Sequence, residues 1–192
     1  MGGTGSTLPR RVHEPLPSPH EVRRHRADRR GHDRAAGDRP VSLAAEDRLA
    51  LADLVHRYAS YVDARDLDRA VALFTEDAVL VSPEPPRTLE PDVERRGRAG
   101  VRQALEGVLR AVRTVNQVVG EVYDAGSTPD VAHGAITGVA HHLMEREGAQ
   151  VDLSWSLRYA DDYRRTPEGW RFARRALTID VVEMRPVQKV RP

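Results

Sequence analysis

The chain has 192 residues, a net charge of +1 and no cysteine, which excludes disulfides, thiolate metal sites and cysteine nucleophiles. No apolar run approaches the ~20 residues that span a bilayer, and the N-terminus lacks the apolar core of a signal peptide, so the expectation is a soluble, cytoplasmic protein with no membrane partner. Charge is unevenly spread: residues 1–42 hold nine arginines against five acids, and the rest holds 21 basic against 24 acidic residues, a mildly acidic balance that argues against a nucleic-acid partner.

Residues 1–42 contain five prolines, no aromatic residue and few large aliphatics. Such a segment buries too little apolar surface to offset the entropy of ordering and reads as a disordered tail, or as the product of a start codon placed too early. A basic arm is the functional alternative, and His13, His20, His25 and His32 within it carry no catalytic weight. From Ser42 the pattern changes. Ser42 is placed to cap a helix to about Arg65, with Glu46 and Asp47 in its early turns and Leu51, Leu54, Val55, Tyr58 and Val62 as its buried stripe. Asp66 caps a short second helix carrying Leu67, Val71, Leu73 and Phe74. "AVLVSP" (78–83) reads as a strand closed by "PEPP", and Gly97–Ala99 leads into a third helix to about Val112, with Val101, Ala104, Leu105, Val108 and Leu109 on one face.

The remainder reads as antiparallel sheet at roughly 115–123, 131–146, 150–164 and 169–183, with "DAGSTPD", "EGA" and "TPEG" as turns. Val151, Leu153, Trp155, Leu157 and Tyr159 alternate with Asp152, Ser154, Ser156 and Arg158, so one face is buried and the other is wet or paired with another subunit. Three helices followed by a four-stranded meander define an α+β domain over 43–185, with 186–192 as a C-terminal tail.

Within "RYASYVDARDLDRAVALF" (57–74), Asp66 and Asp68 serve the second helix, but Asp63 sits near a helix C-terminus, where a carboxylate is disfavoured by roughly 0.3–1 kcal/mol. It falls beside the apolar stripe, flanked by the small Ala52 and Ala59. A bland partner would be Arg57 or Arg65; the functional alternative is a carboxylate aimed into a cavity between helices and sheet.

"RYASYVDARDLDRAVALFTEDAVL", the glycine-led third helix, "DDYRRTPEGWRFARRALTID" and the element order resemble the SnoaL-like branch of the nuclear transport factor 2-like superfamily, close to scytalone dehydratase, over residues 43–185. The resemblance implies a cone-shaped α+β barrel, its three N-terminal helices packed on a curved, mostly antiparallel sheet around a deep pocket. It also implies a homodimer or homotrimer. Asp63 takes the place of the dehydratase's first-helix aspartate, whose histidine partner falls on His142, or on His141 if the strand slips by one residue. Asn116 stands where a second catalytic histidine belongs, Val62 and Ser82 replace two water-orienting tyrosines, and a polar strand pair becomes Leu157 and Tyr159. Scytalone-type dehydration is therefore not expected.

What remains is an Asp–His pair in a greasy pocket, suited to general acid–base work without a cofactor or metal. Tyr159 or Asn116 would donate to a developing enolate oxygen. Trp155, Leu157, Leu177 and Ile179 supply apolar walls, and the ligand is a hydrophobic polyketide-like, aromatic or steroid- or terpenoid-like small molecule. Tyr58 reads as core or as a hydroxyl reaching the pocket. Arg174–Arg175 reads as an exposed ion-pairing element, or with Arg175 facing the pocket to hold an anionic group. Trp155 and Trp170 read more readily as core than as stacking residues. His141 and His142 diverge across the strand, leaving too few ligands for a metal site. The alternatives to an enzyme are a non-catalytic binding or dimerisation module of the same fold, or a β-subunit-like partner of an oxygenase.

Overall fold

The computed structural model describes residues 42–188, so all of the expected N-terminal tail except Ser42, and residues 189–192, lie outside the described residues. Helix α1 (Ala45–Asp63) buries Leu51, Leu54, Val55, Tyr58 and Val62, as its periodicity predicts. Its N-cap is Ala44, in extended backbone and without a side-chain cap bond, rather than Ser42. Leu43, between the serine and this cap, packs on the core. After Ala64 the chain turns at Arg65, whose φ of 59° lies in the left-handed region. Arg65 then donates to the Leu109 and Val112 carbonyls at 2.6 and 2.7 Å. Asp66 caps α2 (Leu67–Ala72) as expected, accepting from the Arg69 amide at 3.1 Å.

Strand β1 (Phe74–Ser82) starts four residues before the expected strand, and β2 (Val93–Arg96) pairs antiparallel to it. The sequence "VERR" gives no strand signal because a four-residue edge strand is selected for charge rather than burial. Helix α3 (Gly97–Ala111) leads into β3 (Arg113–Ala125), β4 (Val131–Arg146), β5 (Ala149–Thr166) and β6 (Gly169–Pro186). The four-stranded meander is thus part of a six-stranded sheet of order β2-β1-β6-β5-β4-β3, antiparallel except where β1 runs parallel to β6. The sheet curves over the helices as an α+β cone. Positive φ at Glu147 (53°) and Gly148 (79°) closes the β4–β5 hairpin, the two-residue geometry that matches strand twist.

The core is an aromatic stack where α1 meets the sheet. Tyr58 lies edge-on to Phe74 and Phe172 at 5.9 and 5.8 Å, and Tyr163 tilts against Phe172 at 5.4 Å. Trp170 is core, as expected, and donates its indole N–H to Asp47. On β4, two residues on from Ala132, the cross-strand partner of Tyr163, a Cβ at Gly134 would approach the Tyr163 ring and hydroxyl to 2.8 Å. Gly134→Ala should therefore cost about 1–3 kcal/mol by overpacking, read as a lower urea midpoint at unchanged m-value.

The outer face of β5 departs from the simple alternation. Asp152 and Ser154 are 2% and 6% exposed, because Asp152 is tied to His141 Nδ1 at 2.8 Å and to Arg185 at 3.1 Å. The expected wet face is closed at this end by a polar cluster.

Candidate functional site

Helices α1 and α3 and the inward faces of the strands bound a cavity of about 370 Å³, within the usual size of small-ligand sites. Its lining includes His142, Asn116 and Trp155 towards one end and Tyr58 and Tyr159 towards the other. Leu157 lies on the strand between Trp155 and Tyr159, and Leu177 is Tyr159's partner across the ladder to β6. Of the expected site residues, Asp63 and Arg175 do not line this cavity. Ile179 is buried but likewise not part of its wall. Val62 and Ser82, standing where tyrosines were expected, are wall residues.

His142 and His141 diverge as strand neighbours must. His141 turns to Asp152 on the outer face, and His142 turns inward. His142 is buried, its ring 4.1 Å from that of Trp155, and its Nδ1 lies 3.0 Å from the Leu153 carbonyl. A carbonyl only accepts, so Nδ1 carries the proton and Nε2 keeps its lone pair. Among the described residues Nε2 has no hydrogen-bond partner. Burial pushes the His142 pKa below its ordinary 6.5, opposed by the Leu153 carbonyl and by Asp152, so the neutral ring dominates at neutral pH.

Asp63 does not contact a histidine, nor Arg57 or Arg65. Its Oδ1 accepts from Thr114 Oγ1 at 2.9 Å and Asn116 Nδ2 at 2.5 Å, and its Oδ2 accepts from the Asn116 backbone amide at 2.8 Å. The physical reason is the start of β3, which brings two side-chain donors and a backbone amide to the end of α1, while Arg57 is engaged by Asp53 and Arg65 by the end of α3. The link to the histidine is indirect, since Thr114 faces His142 directly across the β3–β4 ladder. The orienting role expected of Asp63 falls to the Leu153 carbonyl; Asp63 fixes Asn116 instead.

Arg175 is neither exposed nor on the cavity wall. It is 1% exposed and makes a two-pronged contact with Asp161 at 3.0 and 3.1 Å, while the Tyr163 hydroxyl donates to the same carboxylate at 2.8 Å. Burial raises the Asp161 pKa against the opposing Arg175 charge. Three donors on two oxygens nonetheless fit the ionised carboxylate.

Thr114 and the α3 face were missed as site elements. Ala104, Leu105, Val108 and Leu109 read from sequence only as part of one apolar face of the third helix, and they line the cavity. Val108 remains 41% exposed, the mark of an apolar residue facing a hollow instead of a packed neighbour. Trp155, expected more readily as core, is a wall residue whose ring tilts against that of the histidine.

A family model described as "SnoaL-like domain" matches residues 44–176. No curated protein matches the chain. Among solved structures it is similar to an aromatic ring hydroxylase candidate from Novosphingobium aromaticivorans DSM, at 24% identity over 76% of this chain and 96% of that one, with a TM-score of 0.63. A scytalone dehydratase candidate from Novosphingobium aromaticivorans DSM 12444 matches at 20% identity over 77% and 93%, with a TM-score of 0.61. The hexachlorocyclohexane dehydrochlorinase LinA-type3 from Novosphingobium barchaimii LL02 matches at 16% identity over 77% and 96%, with a TM-score of 0.62. At these identities the likeness is one of fold.

Proposed function

Because the chain belongs to the SnoaL-like domain family, a small-molecule-converting fold, we propose that it is a general-base enzyme acting on a hydrophobic carbonyl compound, with His142 Nε2 as the base. One observation carries this reading: a buried, neutral histidine in the wall of an apolar cavity, its tautomer fixed by the Leu153 carbonyl. Nε2 takes a proton from the carbon next to the carbonyl, and the electron pair moves to the oxygen. Asn116, locked by Asp63 through one amide hydrogen, offers the other to that enolate oxygen. Return of the proton at a second carbon completes an isomerisation; departure of a β-substituent completes an elimination. Asp63 is a positioning residue in this scheme, holding Asn116 and Thr114.

A second reading, ligand binding without turnover, is favoured by the absence of the direct Asp63–histidine contact. Proton exchange separates the two without knowledge of the natural product. In D2O, the protein should speed deuterium incorporation beside the carbonyl of β-tetralone, followed by NMR. Because burial holds the His142 pKa below 6.5, the rate should fall only as pH drops through that lowered value, and it should be level at and above neutrality. No incorporation above that of the His142→Gln protein would leave the binding reading.

A further inference from the structure

Arg175 is the largest of the fully buried side chains, and the proton chemistry above does not use it. Its guanidinium carbon lies 3.9 Å from the Tyr159 ring centre and 4.4 Å from those of Tyr58 and Phe172. Nε and Nη2 hold Asp161, but among the described residues Nη1 is buried without a hydrogen bond of good geometry, although the guanidinium also acts as a donor towards the Tyr58 hydroxyl. Leaving a charged donor unpaired away from water is costly, so an acceptor is due there.

A void of about 20 Å³ adjoins Arg175, room for roughly one oxygen atom or water. Tyr58, Asn116, Leu157 and Tyr159 line it and also line the main cavity, so the two spaces share a wall. Tyr123 and Tyr163 commit their hydroxyl protons to Glu121 and Asp161; among the described residues the Tyr58 and Tyr159 hydroxyls donate to nothing. Burial raises both pKa values, which keeps both phenols protonated. Strand register sets this end apart from the base. Tyr159 faces Ile136, whereas Trp155, whose ring lies against that of His142, faces Ala140; four residues correspond to roughly 13 Å of strand.

We propose that this void is an acceptor-oxygen subsite, where Arg175 Nη1 and the Tyr58 and Tyr159 hydroxyls receive a carbonyl oxygen at the end of a hydrophobic ring ligand remote from His142. The oxygen is a neutral one, because the Arg175 charge is already balanced by Asp161. The premise is that the main cavity is the ligand site, and the substrate class that follows is a ring compound with an oxygen at both ends, one activated near His142 and one read by this subsite.

Calorimetry with β-tetralone, tetralin and tetralin carboxylate tests it; the single oxygen of β-tetralone reads the subsite in one orientation and reaches the His142 end only in the reverse one, so affinity and exchange report the two ends separately. The wild-type protein should bind the ketone roughly tenfold more tightly than the hydrocarbon. The Tyr58→Phe/Tyr159→Phe protein should bind both alike, with tetralin affinity unchanged. The infrared carbonyl band of bound β-tetralone should lie lower in the wild-type protein than in this variant, a shift that a purely structural role would not produce. If the double variant fails to fold, Tyr159→Phe alone should narrow the preference. Equal binding of ketone and hydrocarbon by the wild-type protein, or a preference and band untouched by loss of the hydroxyls, would overturn the subsite. Tightest binding by the carboxylate would overturn the neutral-oxygen assignment. The preference should persist in the His142→Gln protein, whose exchange is lost: a wild-type protein that shows the preference but exchanges no faster than His142→Gln contradicts only the base reading, and one that exchanges faster without the preference contradicts only the subsite.

Discussion

His142→Gln protein should exchange protons about 10²–10⁴-fold more slowly than the wild type, with an unchanged melting curve. Glutamine matches the imidazole in bulk, yet it has no basic nitrogen to present to the cavity. Asp63→Asn should be milder, roughly 10- to 100-fold, because its carboxylate bonds Thr114 and Asn116 rather than the base, and misplacing Asn116 weakens only the hold on the enolate. The ranking is the informative result. If Asp63→Asn proved as damaging as His142→Gln, the aspartate would have to reach the imidazole during turnover, and the indirect link through Thr114 would be the wrong description.

Asp161→Ala should destabilise the fold by about 3–5 kcal/mol, read by urea unfolding, since it leaves the Arg175 charge buried with no counterion. It also strips the Tyr163 hydroxyl of its acceptor. Asp180→Ala is the control: its two-pronged contact with Arg158 has the same form but lies on the surface, and its loss should be close to neutral. Replacing both members of the buried pair, Asp161→Leu with Arg175→Met, should recover much of the stability lost by Asp161→Ala alone. A double variant as unstable as the single one would show that the site needs its polar groups for more than mutual neutralisation.

Much of the fold was legible because it rests on local signals. Helical stripes, the Asp66 cap and the turns at Glu147–Gly148 and before Gly169 follow from residue type and spacing. The site was legible as to which strands face inward and less so as to who meets whom. Asp63 was singled out as a carboxylate without local compensation and expected to orient a histidine, but its partners are Thr114 and Asn116, more than 50 residues away on β3. Arg175 shows the difficulty more sharply. Counting back from the Thr166–Gly169 turn in strict register sets Arg174 opposite Asp161. The ladder instead skips Ala173, so that Arg175 faces Asp161 and turns inward with it. One extra residue in β6 converts a surface-looking arginine doublet into a buried ion pair, and composition carries no trace of that bulge. The α3 stripe was ambiguous for another reason, since a helix face against a hollow is written in the same apolar residues as one against a core.

The turn after α1 has a bearing on ligand choice that reaches beyond any residue touching the ligand. Asp63 grips β3 at Thr114 and Asn116, and Arg65, two residues on, grips the last carbonyls of α3 at Leu109 and Val112. These two holds fall on either side of the α3–β3 junction, so this bend works as a calliper whose jaws set the gap between the helix wall and the strand wall. Substitutions here would retune the width of acceptable molecules while leaving every wall side chain as it is. A lineage adapting to bulkier or slimmer compounds therefore has, in this short turn, a dimensional adjustment separate from the chemistry it gauges.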